Sequence, residues 1–155
     1  MADEDCRDWR IIDALMTHLK TMKTGYRTVV NDVFIPKKEL VLSAAQCPVI
    51  MFFYNENYLD EEGFVKEQSS LEAVLAYWDG LDDKDSTESY VCRLKNVGAD
   101  IRKCIMKNVA LGGLCEVVKI ESSKPAIIMT KTGPLEVHVT SLRIKRTHNQ
   151  YDPYK

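Results

Sequence analysis

The sequence predicts an α+β fold in which two long helices pack on a mainly antiparallel or mixed β-sheet, in the order α-β-β-β-α-β-β-β. Two stretches have apolar residues at steps of three and four, which is typical of amphipathic helices. The other apolar runs are short and bounded by turn residues, which is typical of strands. A chain of 155 residues can bury roughly 68–70% of its unfolded surface, so we expect one domain over residues 1–155.

The first element is a helix over residues 3–22. Its apolar residues recur on one face: Trp9, Ile12, Leu15, Met16, Leu19 and Met22. Three acidic residues at its start suit the positive end of the helix dipole. Gly25 follows the apolar stripe and can help to end the helix.

Three strands are predicted next. Residues 26–35 are rich in β-branched side chains, and residues 49–54 form a short apolar run typical of a central strand buried on both faces. Residues 71–78 fit a helix or a strand, and the turn signal at Asp79-Gly80 favours a strand. The polar segment 55–69 between the last two runs is expected to be an exposed acidic loop.

The second helix is predicted to begin at Ser86 or Thr87 and to end before Gly112-Gly113, since glycine readily adopts the left-handed conformation that stops a helix. Its apolar stripe is Tyr90, Leu94, Val97, Ile101 and Cys104 or Ile105. Gly98 inside this helix costs about 1 kcal/mol relative to alanine. It therefore indicates a point of close packing.

The last third of the chain predicts strands over residues 114–121, 125–130 and 135–147, followed by an extended tail over 148–155. The apolar residues of the final strand fall into two opposite phases: Leu135, Val137 and Val139, then Leu142 and Ile144. This slip near Ser141 indicates either a β-bulge or a strand buried on both faces at its far end.

The charge of the chain is unevenly distributed. Residues 1–90 hold 18 acidic and 9 basic side chains, a net of −9, whereas residues 91–155 hold 5 acidic and 12 basic ones, a net of +7. Either the two halves pair inside one fold, or an acidic face of one copy meets a basic face of the next. The second arrangement builds rings or filaments.

Several classes of protein are disfavoured. No apolar run approaches the ~20 residues that a membrane helix needs, and the acidic start is unlike the basic start of a signal peptide. The five cysteines are odd in number and scattered, so we expect reduced thiols: Cys6, Cys47, Cys92, Cys104 and Cys115.

Residues for catalysis or for a metal or other cofactor are not found at suitable spacing. His18, His138 and His148 are far apart, and no Cys or carboxylate completes a metal site at short range. We therefore expect no enzyme, no cofactor and no metal. A hydrolase remains a distant alternative, which would require His18, Cys47 and an acid to meet in one pocket.

Two sets of residues carry a resemblance to a known family. The first is Asp100, Ile101 and Ile105 before Leu111-Gly112-Gly113-Leu114; the second is Arg143, Lys145, Arg146 and Thr147 before Asp152-Pro153-Tyr154. In this order and spacing, the chain resembles the tail terminator proteins of tailed bacteriophages, also called tail-completion or U-type minor tail proteins. It departs from them where Cys104, Met106 and Asn108 replace an alanine-rich helix, and segment 55–69 has no counterpart.

The resemblance implies a structural protein of the virion, located in the phage neck after assembly in the host cytoplasm. Terminators form homohexameric rings on the last ring of the tail tube and stop its polymerisation. They present a surface to the head–tail connector or adaptor protein, and in contractile phages they can contact the sheath. DNA passes through the ring without specific binding. No membrane is involved.

Two candidate surfaces follow. We expect a protein interface at the end of the last strand and in the tail: Arg143, Lys145, Arg146, Tyr151, Asp152 and Tyr154. We expect acidic loops to line the lumen or face the tube: Asp60, Glu61, Glu62, Asp82 and Asp83. The alternatives are a neighbouring head–tail joining or connector protein, or a small cytosolic adaptor or nucleic-acid-binding domain.

Overall fold

The computed structural model of the protein describes residues 6–22, 25–37, 46–58, 66–80, 87–130 and 133–149. Within these residues the elements are α1 (Arg7–Leu19), β1 (Asp32–Phe34), β2 (Val49–Tyr58), β3 (Lys66–Trp78), α2 (Thr87–Met106), β4 (Val117–Thr130) and β5 (Gly133–Asn149). A short 3₁₀ turn at Leu111–Gly113 precedes β4. The fold is α+β, as predicted, and the order of its elements is confirmed except that two strands, rather than three, follow α2.

The described strands form one mixed sheet in the order β1-β2-β3-β5-β4. The short β1 runs parallel to β2, and the other pairs are antiparallel. The last strand, β5, therefore lies between β3 and β4 and pairs with both over most of its length. The outer strands β1 and β4 form the two edges of this described sheet.

Both helices pack on the same face of the sheet because each presents one apolar stripe. The core on this face joins residues of α1, α2 and the inner strands: Ile11, Ile12, Leu15, Leu19, Val97, Ile101, Ile105, Phe52, Leu75, Leu142 and Ile144. Burying a side chain of this size contributes about 1.5–3 kcal/mol. The predicted stripe of α1 is wrong at Trp9, which is 41% exposed, and Ile11 is fully buried instead.

The two apolar phases of β5 face opposite sides of the sheet. Leu142 and Ile144 belong to the core under the helices, whereas Val137 packs with Met51 and Ala76 in a second, smaller cluster. Residues of one strand alternate between faces, so a strand buried on both faces needs apolar residues in both phases. The irregularity near Ser141 lies on the neighbouring strand, because the register between β4 and β5 shifts between Ile120 and Ser122.

Several predicted boundaries are corrected. The strands β2 and β3 extend through residues 55–58 and 66–69, so the polar segment between them is shorter than predicted and 59–65 lies outside the described residues. The predicted strands 114–121 and 125–130 are one strand, β4. The last strand continues to Asn149, two residues into the predicted tail.

The second helix ends earlier than predicted. Its last residue is Met106, and the glycines lie in the turn that follows. Gly112 and Gly113 have φ values of 70° and 92°, which residues with a Cβ rarely adopt. The Asn108 side chain accepts a hydrogen bond from the Gly112 N–H at 3.0 Å. These contacts turn the chain from α2 into β4.

A buried ion pair ties α1 to β5. Arg146 is 0% exposed; its Nη2 donates a hydrogen bond to Oδ2 of Asp8 at 3.0 Å, and its Nε forms an ion-pair contact with Oδ1 of the same carboxylate. A buried arginine is expensive to desolvate and is tolerated only where its charge is paired. Asp8 is thus required to compensate for Arg146.

Asp8→Ala is expected to lower the free energy of unfolding by about 3 kcal/mol, because it removes the carboxylate that is paired with the buried Arg146 guanidinium. Urea denaturation measures this loss. The matched control is Glu72→Ala, which removes one partner of the half-exposed Arg143 pair at 3.5 Å and should cost no more than about 1 kcal/mol. Equal losses in the two variants would contradict the assigned role of the buried pair.

Candidate functional site

A cleft with a volume of about 610 Å³ lies between α2 and the β4–β5 hairpin. Its lining residues come from these three elements: Lys95, Gly98, Ala99, Arg102, Lys103, Met106, Ser123 and His138. Three of them are cations and, among the residues that the structure describes, no carboxylate lines the cleft. The cleft is therefore locally basic in a chain whose net charge is −2.

The helical side of the cleft follows from residue spacing. Residues three, four and seven positions apart lie on one face of a helix, and this places Gly98 and Ala99 between Lys95 and Arg102. Two small residues flanked by two long cations leave a hollow with a positive charge at each end. The spacing of α2 thus forms one wall of the cleft.

The floor of the cleft is a hydrogen-bonded pair from the two strands. Ser123 Oγ and His138 Nε2 are 2.6 Å apart, and His138 is only 3% exposed. A Cβ placed on Gly98 would lie 2.9 Å from Ser123 Oγ and 3.0 Å from His138 Nε2. Gly98 is therefore required for the close approach of α2 to this pair, as the sequence indicates for this position.

Burial of His138 lowers its pKa from the ordinary value of 6.5, and the charge of Lys95 lowers it further. Both effects disfavour the protonated imidazolium. The imidazole is accordingly neutral at pH 7. A neutral ring can either accept the Ser123 hydroxyl proton or donate to its oxygen.

The depressed pKa of His138 predicts acid sensitivity. Below pH 6.5 the unfolded chain takes up a proton that the folded chain takes up only at lower pH, so stability is lost as pH falls from about 6.5 through the folded pKa. Urea midpoints at pH 7.5 and 5.5 should differ less in His138→Gln than in the wild-type protein. An unchanged difference would contradict a buried neutral His138.

A second cleft of about 430 Å³ lies on the other side of α2. At its edge the Arg93 guanidinium and the Asp79 carboxylate are 2.7 Å apart. The buried Asp100 carboxylate accepts the Thr28 N–H at 2.6 Å. Asp100, part of the motif that carries the family resemblance, therefore fastens the segment before β1 onto α2.

The residues considered for nucleophilic catalysis are held in structural contacts. His18 Nε2 lies 2.6 Å from the Cys104 carbonyl oxygen. Burial raises the pKa of the Cys104 thiol, and burial followed by the Asp79 charge raises that of Cys47. Burial also raises the pKa of Cys115 to about 11. A raised pKa is the opposite of what activates a cysteine nucleophile.

No group of three or more His, Cys, Asp or Glu side chains among the described residues is arranged to hold a metal ion. Among the described helices, none is both long and apolar enough to cross a membrane. The structure thus supplies no positive indication of either feature.

The basic residues near the end of β5 have different environments. Arg143 is paired with Glu121 at 3.0 Å and Glu72 at 3.5 Å, and Lys145 is exposed. Arg146 is buried against Asp8, so its predicted place in a surface interface is corrected: alternation along the strand turns it towards the helices. The candidates Tyr151, Asp152, Tyr154, Asp60, Glu61, Glu62, Asp82 and Asp83 lie outside the described residues.

An apolar surface that was not predicted from the sequence lies at the end of the β4–β5 hairpin. Ile127 is 64% exposed and Met129 is 77% exposed. Both follow Pro125 at alternate positions of β4, so all three share one side of this edge strand. The sequence does contain a sign of this surface. Ile127 and Met129 alternate along the strand with Ala126 and Ile128, which pack on the second cluster, so apolar residues occur on both sides of this edge strand.

Comparison with known proteins adds no family to these observations. No protein-family model matches the chain, and no curated protein is significantly similar to it in sequence. The function therefore has to be inferred from the surfaces described above.

Proposed function

We propose that this chain is a structural virion protein of the phage neck, a tail terminator that assembles into a homohexameric ring on the end of the tail tube. The ring stops tube polymerisation and offers its other side to the head–tail connector or adaptor protein. The observation that carries the proposal is the exposed apolar pair Ile127 and Met129 on the edge strand β4. The family resemblance stated above supplies the identity of the partners.

The hairpin end has the character of a protein contact surface. Exposed edge strands are normally protected by charges, proline or a bulge against pairing with another chain. The first part of β4 has all three features, in Lys119, Lys124, Pro125 and the register shift after Ile120. Its last part instead exposes Ile127 and Met129, and exposed apolar residues grouped in this way favour an interface.

The distribution of charge favours contact between unlike faces. The first 90 residues carry a net of −9 and the remainder +7, so an acidic region of one copy and a basic region of the next attract each other. A contact between two different surfaces, repeated by rotation, closes into a ring. Electrostatic complementarity of this kind fixes register as well as partner.

The charges also suit a channel that lets DNA pass. Tight DNA binding requires many contacts from Lys and Arg to phosphates, whereas this chain has a net charge of −2. Arg143, the half-exposed arginine of the predicted interface, is already shared between Glu72 and Glu121. A ring of such subunits would hold DNA weakly.

Light scattering, alone and with preformed cognate tail tubes, tests the proposed ring. The expected result is a species of six times the 17.7 kDa chain mass, free or on the tubes, and negative-stain images should place it at one tube end. A monomer that ignores tubes and binds a purified connector would favour the neighbouring joining protein. A monomer that binds duplex DNA in a strongly salt-dependent manner would favour the nucleic-acid-binding alternative.

The hairpin surface is tested by Ile127→Lys with Met129→Lys. A desolvated interface residue of this type contributes enough that its loss should weaken assembly by roughly tenfold or more. The matched control is Met106→Lys, which changes another exposed methionine, 65% exposed, at the end of α2. Sedimentation velocity over a range of concentrations measures assembly. Equal weakening in the control, or normal assembly of the hairpin variant, would contradict the assigned interface.

A further inference from the structure

We infer that the cleft between α2 and the β4–β5 hairpin binds a small phosphate-bearing anion, either inorganic phosphate or a phosphate monoester. The inference is independent of ring formation, since it uses residues other than Ile127 and Met129. It uses residues from α2, β4 and β5 that meet only in the folded chain: Lys95, Gly98, Arg102, Lys103, Ser123 and His138.

The first reason is an excess of positive charge around an open cleft. Lys95 and Arg102 are seven residues apart on α2, which corresponds to about 10 Å along a helix axis. No carboxylate in the described part of the chain lines the space between them. The nearest acidic residue on this part of β4, Glu121, is paired with Arg143 at 3.0 Å. An anion in the cleft would supply the missing negative charge.

The helix dipole accounts for some of these cations but not for all. Cations in the last turn of a helix are stabilised by its negative end, and Lys103 lies there. Its ammonium also donates to the Gly25 carbonyl at 3.0 Å and lies 5.0 Å from the centre of the Tyr26 ring. Lys95 lies in the middle of α2, where the dipole offers no such stabilisation. Lys95 therefore places a positive charge at the cleft without stabilisation from the dipole.

The floor of the cleft offers hydrogen-bonding groups suited to an oxyanion. The Ser123 hydroxyl can rotate and donate a hydrogen bond to an anion, and hydrogen bonds to charged groups are about twice as strong as neutral ones. His138 is held beside it at 2.6 Å. The negative charge of an anion would favour protonation of the His138 ring, whereas the charge of Lys95 lowers the pKa of that ring. The cleft thus combines the cationic side chains of α2 with the hydroxyl and imidazole groups of the two strands, and these groups suit an anion.

A further reason is the space that the small residues Gly98 and Ala99 leave in the cleft. At Gly98 any side chain would collide with Ser123 or His138, since a Cβ would lie 2.9–3.0 Å from them. Ala99 beside it also leaves room in front of the floor. The cleft of about 610 Å³ accommodates a phosphate with a small attached group.

A phosphate monoester fits these groups better than the backbone of DNA. A monoester or free phosphate carries close to two negative charges at neutral pH, matching two opposing cations, whereas a phosphodiester carries one. A phosphodiester is also flanked by a sugar on each side, which would have to pass through the ends of the cleft where the long cationic side chains lie. Duplex DNA is therefore an outcome that the test must separate from free phosphate.

Titration calorimetry of the full chain with inorganic phosphate, against sodium chloride at equal ionic strength, tests the inference. We expect saturable binding at one site per chain. Lys95→Gln and Arg102→Gln should each weaken it by roughly tenfold or more, because each removes a charged hydrogen bond. Lys119→Gln is the matched control, since it removes one exposed cation from β4 outside the cleft and should leave affinity unchanged.

Gly98→Ala provides a second, steric test. Its methyl group would displace Ser123 and His138 and should weaken phosphate binding while leaving both cations in place. Denaturation midpoints establish that each variant is folded, and the two glutamine variants change exposed positions that are not needed for the core.

Three results would overturn the inference. The first is no saturable heat beyond that of chloride. The second is a loss of affinity in Lys119→Gln equal to that in the cleft variants, since this indicates binding by net charge alone. The third is that duplex DNA binds more tightly than phosphate and that Lys95→Gln and Arg102→Gln abolish this DNA binding. Ring mass, measured on the same proteins, is expected to be unchanged and reports separately on the proposed function.

Discussion

The ion pair between Asp8 and Arg146 determines where the first helix lies on the sheet. Arg146 is fully buried, so its charge must be matched by a carboxylate that reaches it from α1. The same strand, β5, pairs with β3 on one side and β4 on the other. By joining α1 to β5, the pair adds a polar contact to the hydrophobic core that holds both helices on one face of the sheet.

Local patterns in the sequence were sufficient for the helices and the order of strands. The helical stripes and the apolar strand runs depend on residues close together in the chain, so periodicity shows them. Strand ends were harder to place. Residues 55–58 and 66–69 are mostly polar. They extend β2 and β3 by backbone pairing, 55–58 with 69–72 of β3 and 66–69 with 146–149 of β5, so there is no hydrophobic alternation to detect. Trp9 fits the helical spacing, but Ile11 is the residue that the sheet covers.

The candidate surfaces were harder still, because they depend on contacts between distant residues. Arg143 and Arg146 looked equivalent in a basic run, yet alternation along β5 exposes one and buries the other under α1. The basic cleft brings Lys95 and Arg102 against Ser123 and His138, and no spacing in the sequence shows this meeting. Only Gly98 indicated the cleft in the sequence, because glycine is unfavourable inside a helix and its presence there suggests that another element packs closely against the helix.

The most direct test of terminator function is the growth of tail tubes followed over time. Cognate tube protein is polymerised with and without the chain, and tube lengths are measured by electron microscopy. A terminator is expected to arrest elongation when added during growth, at about one ring per tube, and to remain visible at the arrested ends. Tubes that elongate at an unchanged rate, with bare ends at saturating concentrations of the chain, would contradict the assignment.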